Sequence, residues 1–228
     1  NGSTGKSLIY KAVDKMRKVF QFSARNTELK GNHLWQSINE NTDIICFNDA
    51  EDDFTKNFSK LFNIITDGII VEKKFKDQEF LSFEKTPKIL VTTNFVVPQN
   101  DESSLDRMHE IEFTHLFNSR YKPVDEFGKL FFDHWNESEW LDFYYFMFSC
   151  IQYYLKHGLV QYQHYNLEER KLSQSVGNAF VEYFYGYVAE NKKADGSVKL
   201  IYRDFYEAYT QANPKSNLKQ ESCSKKIN

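Results

Sequence analysis

The sequence predicts an α/β protein: a sheet of buried strands alternating with helices, then a mostly helical region. Two apolar runs, "DIICF" and "KILVTTN", each end in polar residues, as buried parallel strands do. Stretches with helical spacing alternate with them. The opening "NGSTGKS" carries most of a phosphate loop, G-x-x-x-x-G-K-[ST], with the first glycine of the pattern falling just before Asn1.

Taken in chain order, the elements follow from local pattern. After the loop, Leu8, Ile9, Ala12, Val13, Met16 and Val19 keep helical spacing, as a helix starting at a phosphate loop should. "VFQF" reads as a short strand and "HLWQSIN" as a second helix. "DIICF" is a strand that delivers the acids of "NDAEDD" at its carboxyl end. "FSKLFNIITDG" is helical and stops at Gly68. "IIVEKKFKDQEFLSF" alternates around a lysine-rich turn and predicts a hairpin. "KILVTTN" is the second buried strand, and "HEIEF" a third, shorter one.

From about Asp125 the pattern turns helical and strongly aromatic, closing at Gly158; the run from Phe127 to Tyr154 reads as a helical core. The tail from Asn166 holds another helix, "SVGNAFVEYFYGYVAEN", and a turn, "KKADGS". It then has a strand-like "VKLIY" running into a helix that starts at Tyr202 and Arg203, the order a winged-helix domain uses.

The net charge of −3 means that any nucleic-acid contact rests on a local basic surface. Cys46, Cys150 and Cys223 are isolated, with no C-x-x-C pair, which argues against a disulfide framework or a zinc site and for a reducing compartment. No apolar run approaches the ~20 residues needed to span a bilayer, so the expected setting is cytoplasmic, with no membrane partner.

The polar residues at the strand ends suit phosphate chemistry. A loop of backbone N–H groups from Gly2, Ser3, Thr4 and Gly5 can cradle phosphates, Lys6 can bridge the β- and γ-phosphates, and Ser7 can hold magnesium. Such a site needs an acid at the end of a neighbouring strand, which Asp49 supplies, and a polar residue at an adjacent strand tip, which Asn94 supplies. Arg107, in "DRM", is placed where a domain edge is expected.

In this order, "GSTGKS", "IICFNDAED", "GIIVEKKFKD", "PKILVTTNF" and "DRMHEIEF" resemble the ATPase core of superfamily 3 helicases. The resemblance is to the primase-helicase branch of phages, poxvirus-like viruses and bacterial mobile elements, and covers residues 1–113. It implies an AAA+-type P-loop sheet that assembles as a homo-hexamer in the cytoplasm of a bacterial host. ATP would lie between subunits, and single-stranded or forked DNA would pass through the centre.

Under the resemblance, residues 1–124 are the ATPase core without its first strand, 125–165 a lid-like helical region, and 166–228 a partial winged-helix-like region. Gly2 to Ser7 and Asn48 bind ATP, while Ser7 and Asp49 hold Mg2+. Asp49 is the Walker B acid, Asn94 the sensor and Arg107 the finger reaching a neighbour's site. Lys73, Lys74 and Lys76 track the DNA backbone. The chain is expected to belong to a longer polypeptide, with a primase domain upstream as in many relatives.

Two residues depart from the family pattern. Asn48 stands where relatives carry the first of two adjacent acids, and Asp106 precedes Arg107 where many relatives have paired arginines. The sequence therefore leaves two other readings open: an origin-melting or DNA-loading ATPase switch, and a decayed site that binds nucleotide without turning it over.

Overall fold

The strand predicted at "DIICF" is the centre of the sheet. In the computed structural model, β2 (Ile44–Ala50) buries Ile45, Cys46 and Phe47 completely, as a strand covered on both faces must. It pairs in parallel with β1 (Val19–Ser23) on one side and β5 (Lys88–Thr93) on the other. The structure describes residues 5–24, 29, 34–97, 102–114, 116–160 and 167–221.

Parallel neighbours need long crossovers. Helix α1 (Lys6–Asp14) precedes β1. Between β2 and β5 run α2 (Asp52–Lys56), a 3-10 turn (Phe58–Leu61), α3 (Phe62–Thr66) and an antiparallel hairpin of β3 (Gly68–Val71) and β4 (Glu79–Ser82). The hairpin stands where the alternation around the lysine-rich turn predicted it.

Phe47 anchors the core, stacked at 5.3 Å on Phe22 and 4.8 Å from Phe54, with Trp35 edge-on at 6.1 Å. That packing overturns the helix expected at "HLWQSIN". Residues 34–37 form a turn that carries Trp35 and the buried Ile38 inward. Asn39 then ends it by accepting the Asn41 N–H at 2.9 Å, a local bond that competes with helix.

The expected third strand at "HEIEF" is also absent, since residues 109–114 are irregular. Its alternation is strand-like, but the three-stranded sheet of β1, β2 and β5 does not include it. The preceding helix, α4 (Glu102–Arg107), ends at the arginine of "DRM".

The aromatic region divides into α5 (Pro123–Phe127), a turn, and α6 (Glu137–His157). Asn136 sets the start of α6. Its side chain accepts the Glu139 N–H at 3.0 Å, and the Glu139 carboxylate accepts the Asn136 N–H at 3.0 Å. Gly158 ends it, as predicted, with a φ of 75°. Phe132 lies 4.7 Å from Trp135 and 5.7 Å from Phe143, and Lys15 sits 5.7 Å over the Trp140 ring. Yet no residue of α6 is buried, which corrects the expectation of a helical core across the run.

The chain divides into two compact units, residues 1–165 and 166–228. The second holds α7 (Leu167–Val176), α8 (Asn178–Asn191) and α9 (Tyr202–Ala212) around Phe180, Val181, Phe205 and Tyr209. Gly177, at φ 88°, breaks what the sequence suggested as one helix. α9 starts at Tyr202 as expected, but "VKLIY" forms no strand, because Leu200 packs against the helical core instead. Among the described residues, the strand of the expected winged-helix-like tail is therefore missing.

Candidate functional site

Gly5 caps α1 in the left-handed conformation, φ 86°, so the helix opens on Lys6 and Ser7. Lys6 donates from Nζ to Asn94 Oδ1 at 2.7 Å, and Asn94 directly follows β5. Ser7 donates from Oγ to Asn48 Oδ1 at 3.2 Å, and Asn48 lies near the carboxyl end of β2. Residues 88 and 41 positions apart thus meet through paired polar contacts.

A bulge shapes the end of β2. Its register against β5 runs from Phe47↔Val91 to Ala50↔Thr93, so Asn48 and Asp49 together oppose Thr92 alone. Asp49 takes the strained turn, at φ 57°. The Thr92 hydroxyl closes it, donating to Asn48 Oδ1 at 2.8 Å and accepting the Asp49 N–H at 2.9 Å. In a regular strand, successive side chains face opposite ways. Here Asn48 and Asp49 both line one cavity.

That cavity has a volume of about 440 Å³, within the range of small-molecule sites. One wall is polar and comes from Gly5, Lys6, Ser7, Asn48, Asp49, Thr92 and Asn94. The other comes from residues 122–124 and 129–131, with Pro123, Val124, Leu130 and Phe131 giving it an apolar face. Lys6, Lys122 and Lys129 line it against the single carboxylate of Asp49, so it suits an anion with a flat apolar part. Lys129 pairs with Glu139 at 2.6 Å, and this hydrogen bond holds the Glu139 carboxyl below its usual range.

The oxygens of Ser7 and Asp49 are hard donors, which fits magnesium keeping several waters. Among the described residues, no three His, Cys, Asp or Glu side chains gather as a metal cluster.

Of the residues singled out in the sequence, Gly5, Lys6, Ser7, Asn48, Asp49 and Asn94 come together here. Gly2, Ser3 and Thr4 lie outside the described residues. The side chain bonded to Ser7 is that of Asn48, with Asp49 beside it on the cavity wall.

Arg107 does not line the cavity. Its Nη1 donates to the Ser103 carbonyl at 2.8 Å and to the Ser103 hydroxyl, and its guanidinium lies 5.3 Å from the Phe62 ring centre. Its buried Nε makes no hydrogen bond.

Lys73 is paired with Glu79 at 3.0 Å, whereas Lys74 and Lys76 flank Phe75 at the exposed hairpin tip. Sequence reasoning missed Thr92, Lys122 and Lys129. Thr92 had a signal, since it sits two residues before Asn94 in "TTN"; the two lysines, lying beyond the matched motifs, had none.

No protein-family model matches the chain, and no match was found among the curated proteins. The fold and the cavity define a mixed α/β protein with a small parallel three-stranded sheet and several helices. Among the described residues, no helix is long and apolar enough to cross a membrane.

Proposed function

We propose that the cavity is the nucleoside-triphosphate site of a DNA-dependent ATPase of the superfamily 3 helicase type. One observation carries this reading: the joined contacts Lys6–Asn94 and Ser7–Asn48 collect the start of α1 and the ends of β2 and β5 at one cavity. A polar cationic wall suits the triphosphate, and the apolar wall around Phe131 suits the base.

On binding, Lys6 turns from Asn94 to the β- and γ-phosphates, which leaves Asn94 to orient the attacking water. Asp49 accepts the hydrogen bond of that water as its oxygen bonds to the γ-phosphorus. The bond from the γ-phosphorus to the β-phosphate oxygen then breaks, giving ADP and phosphate. Ser7 and Asp49 would hold magnesium, which would supply charge neutralisation at the phosphates. Arg107 reaches a neighbour's site in a hexamer only by leaving Ser103 and Phe62, a change that subunit contact would have to drive. The hairpin tip, with Lys74, Phe75 and Lys76, meets single-stranded or forked DNA. A primase domain upstream and a bacterial cytoplasm complete this reading.

The test is ATP hydrolysis with and without single-stranded DNA, using the chain and Lys6→Ala. Hydrolysis should be lost in the variant with its circular dichroism unchanged; retained turnover overturns the assignment. Asn48 in contact with Ser7 favours a second reading, a site that binds nucleotide but turns it over poorly. Asn48→Asp separates the two: a large gain in turnover supports the decayed site, and no gain shows that Asp49 suffices.

A further inference from the structure

Two lysines that line the cavity, one on each wall, are held by other side chains of the same unit. On the polar wall, Lys6 donates to Asn94 Oδ1 at 2.7 Å. On the other wall, Lys129 donates from Nζ to Glu139 Oε1 at 2.6 Å.

Glu139 is the fixed member of its pair. Its Oε2 accepts the Asn136 N–H at 3.0 Å, and its own N–H donates to Asn136 Oδ1 at 3.0 Å. Moving the carboxylate therefore breaks the start of α6. Lys129 is the adaptable member, a long flexible stem in the turn between α5 and α6. Its ammonium carries three protons, and Glu139 takes one of them.

We propose that Lys129 is a second phosphate-binding cation of this cavity, and that Glu139 competes with the ligand for it. This rests on the nucleotide reading of the site. The side chains of the pair are 38 and 29% exposed, and an ion pair so open to water holds weakly. A polyphosphate offers the same ammonium several charged oxygens, so the exchange favours the ligand.

Competition and simple support differ in sign. If the pair only held the cavity wall in place, losing either partner would weaken binding. Under competition, losing the lysine weakens binding, and losing the carboxylate charge strengthens it.

Calorimetric titration of the whole chain with ATP and with inorganic tripolyphosphate tests it. Lys129→Met should weaken both by at least about tenfold, the loss of one charge-assisted hydrogen bond. Lys129→Arg keeps the charge and should retain most of the binding. Glu139→Gln keeps an oxygen for the Asn136 N–H, so α6 still starts there, and it should tighten both ligands by about threefold. That gain should vanish in the double variant with Lys129→Met, because the lysine it acts through is gone.

Glu139→Gln that binds no tighter than the parent, or a gain that persists without Lys129, overturns the competition. Parent affinity in Lys129→Met overturns the second cation and, with ATP bound, leaves the nucleotide reading standing. Tripolyphosphate binding that depends on Lys129, without ATP binding, keeps the cation and sinks the nucleotide reading. A parent chain that binds neither overturns both.

Discussion

Replacing Thr92 by valine keeps the size of the side chain and removes one oxygen that serves two neighbours. That oxygen donates to Asn48 Oδ1 at 2.8 Å and accepts the Asp49 N–H at 2.9 Å, in a residue only 8% exposed. Losing it removes the acceptor of the Asp49 N–H and a donor to Asn48 at the bulge, a fault that costs about 1–3 kcal/mol. It also releases Asp49 from a backbone angle of 57°, which persists only where surroundings enforce it.

A value of about 2 kcal/mol lowers the unfolding temperature of a unit spanning residues 1–165 by about 4–8 °C. Trp35, Trp135 and Trp140, the chain's 3 tryptophans, all lie in that unit, so their fluorescence reports it alone. Thr92→Ser keeps the hydroxyl and should recover most of the loss. If Thr92→Val unfolds within about 0.5 kcal/mol of the parent, the hydroxyl does not hold the bulge.

Other perturbations follow from the same geometry. A Cβ on Gly68 would meet the Leu81 carbonyl oxygen at 2.4 Å, with φ at 121°, so Gly68→Ala should cost at least about 2 kcal/mol in urea unfolding. Neutralising Lys73, Lys74 and Lys76 should flatten the salt dependence of single-strand binding by ~0.7 in log–log slope for each phosphate that no longer has a lysine beside it; an unchanged slope removes them from any DNA surface. Burial pushes the Cys46 thiol up to about 11, so at pH 8 iodoacetamide should label the exposed Cys150 and spare Cys46 until denaturant is added. The Glu139 carboxyl is lowered, first by the Lys129 hydrogen bond. Its contribution is therefore complete above the ordinary glutamate value of about 4.3 and fades as pH falls through the lower folded value. Glu139→Gln should remove that acid-induced loss of α6 helicity by circular dichroism.

What the sequence made legible is what depends on one segment at a time. "DIICF" buries Ile45, Cys46 and Phe47 and "KILVTT" half-buries Ile89, Leu90 and Val91, successive apolar side chains on both faces of a strand, so composition reveals them. Gly158 and the hairpin turn were legible through glycine and alternation. "HEIEF" and "VKLIY" misled because alternation records which side faces inward and says nothing of a neighbour to pair with. Trp35 misled because its burial against Phe22 and Phe47 is a contact made across the sheet. At the candidate site, the loop and the strand tips were readable as donors and acceptors. The bulge was not, since it arises from a register between strands some forty residues apart.

The hydroxyl of Thr92 has one proton and gives it to Asn48 Oδ1 at 2.8 Å, while its oxygen accepts the Asp49 N–H. The atom of Asn48 that receives it is the carbonyl oxygen, which also takes the Ser7 hydroxyl at 3.2 Å. Its NH₂ end is then the other terminus, where an aspartate would present a second oxygen. At that spot this chain offers a ligand two protons in place of a lone pair, a preference for phosphate oxygen over cation written into one amide.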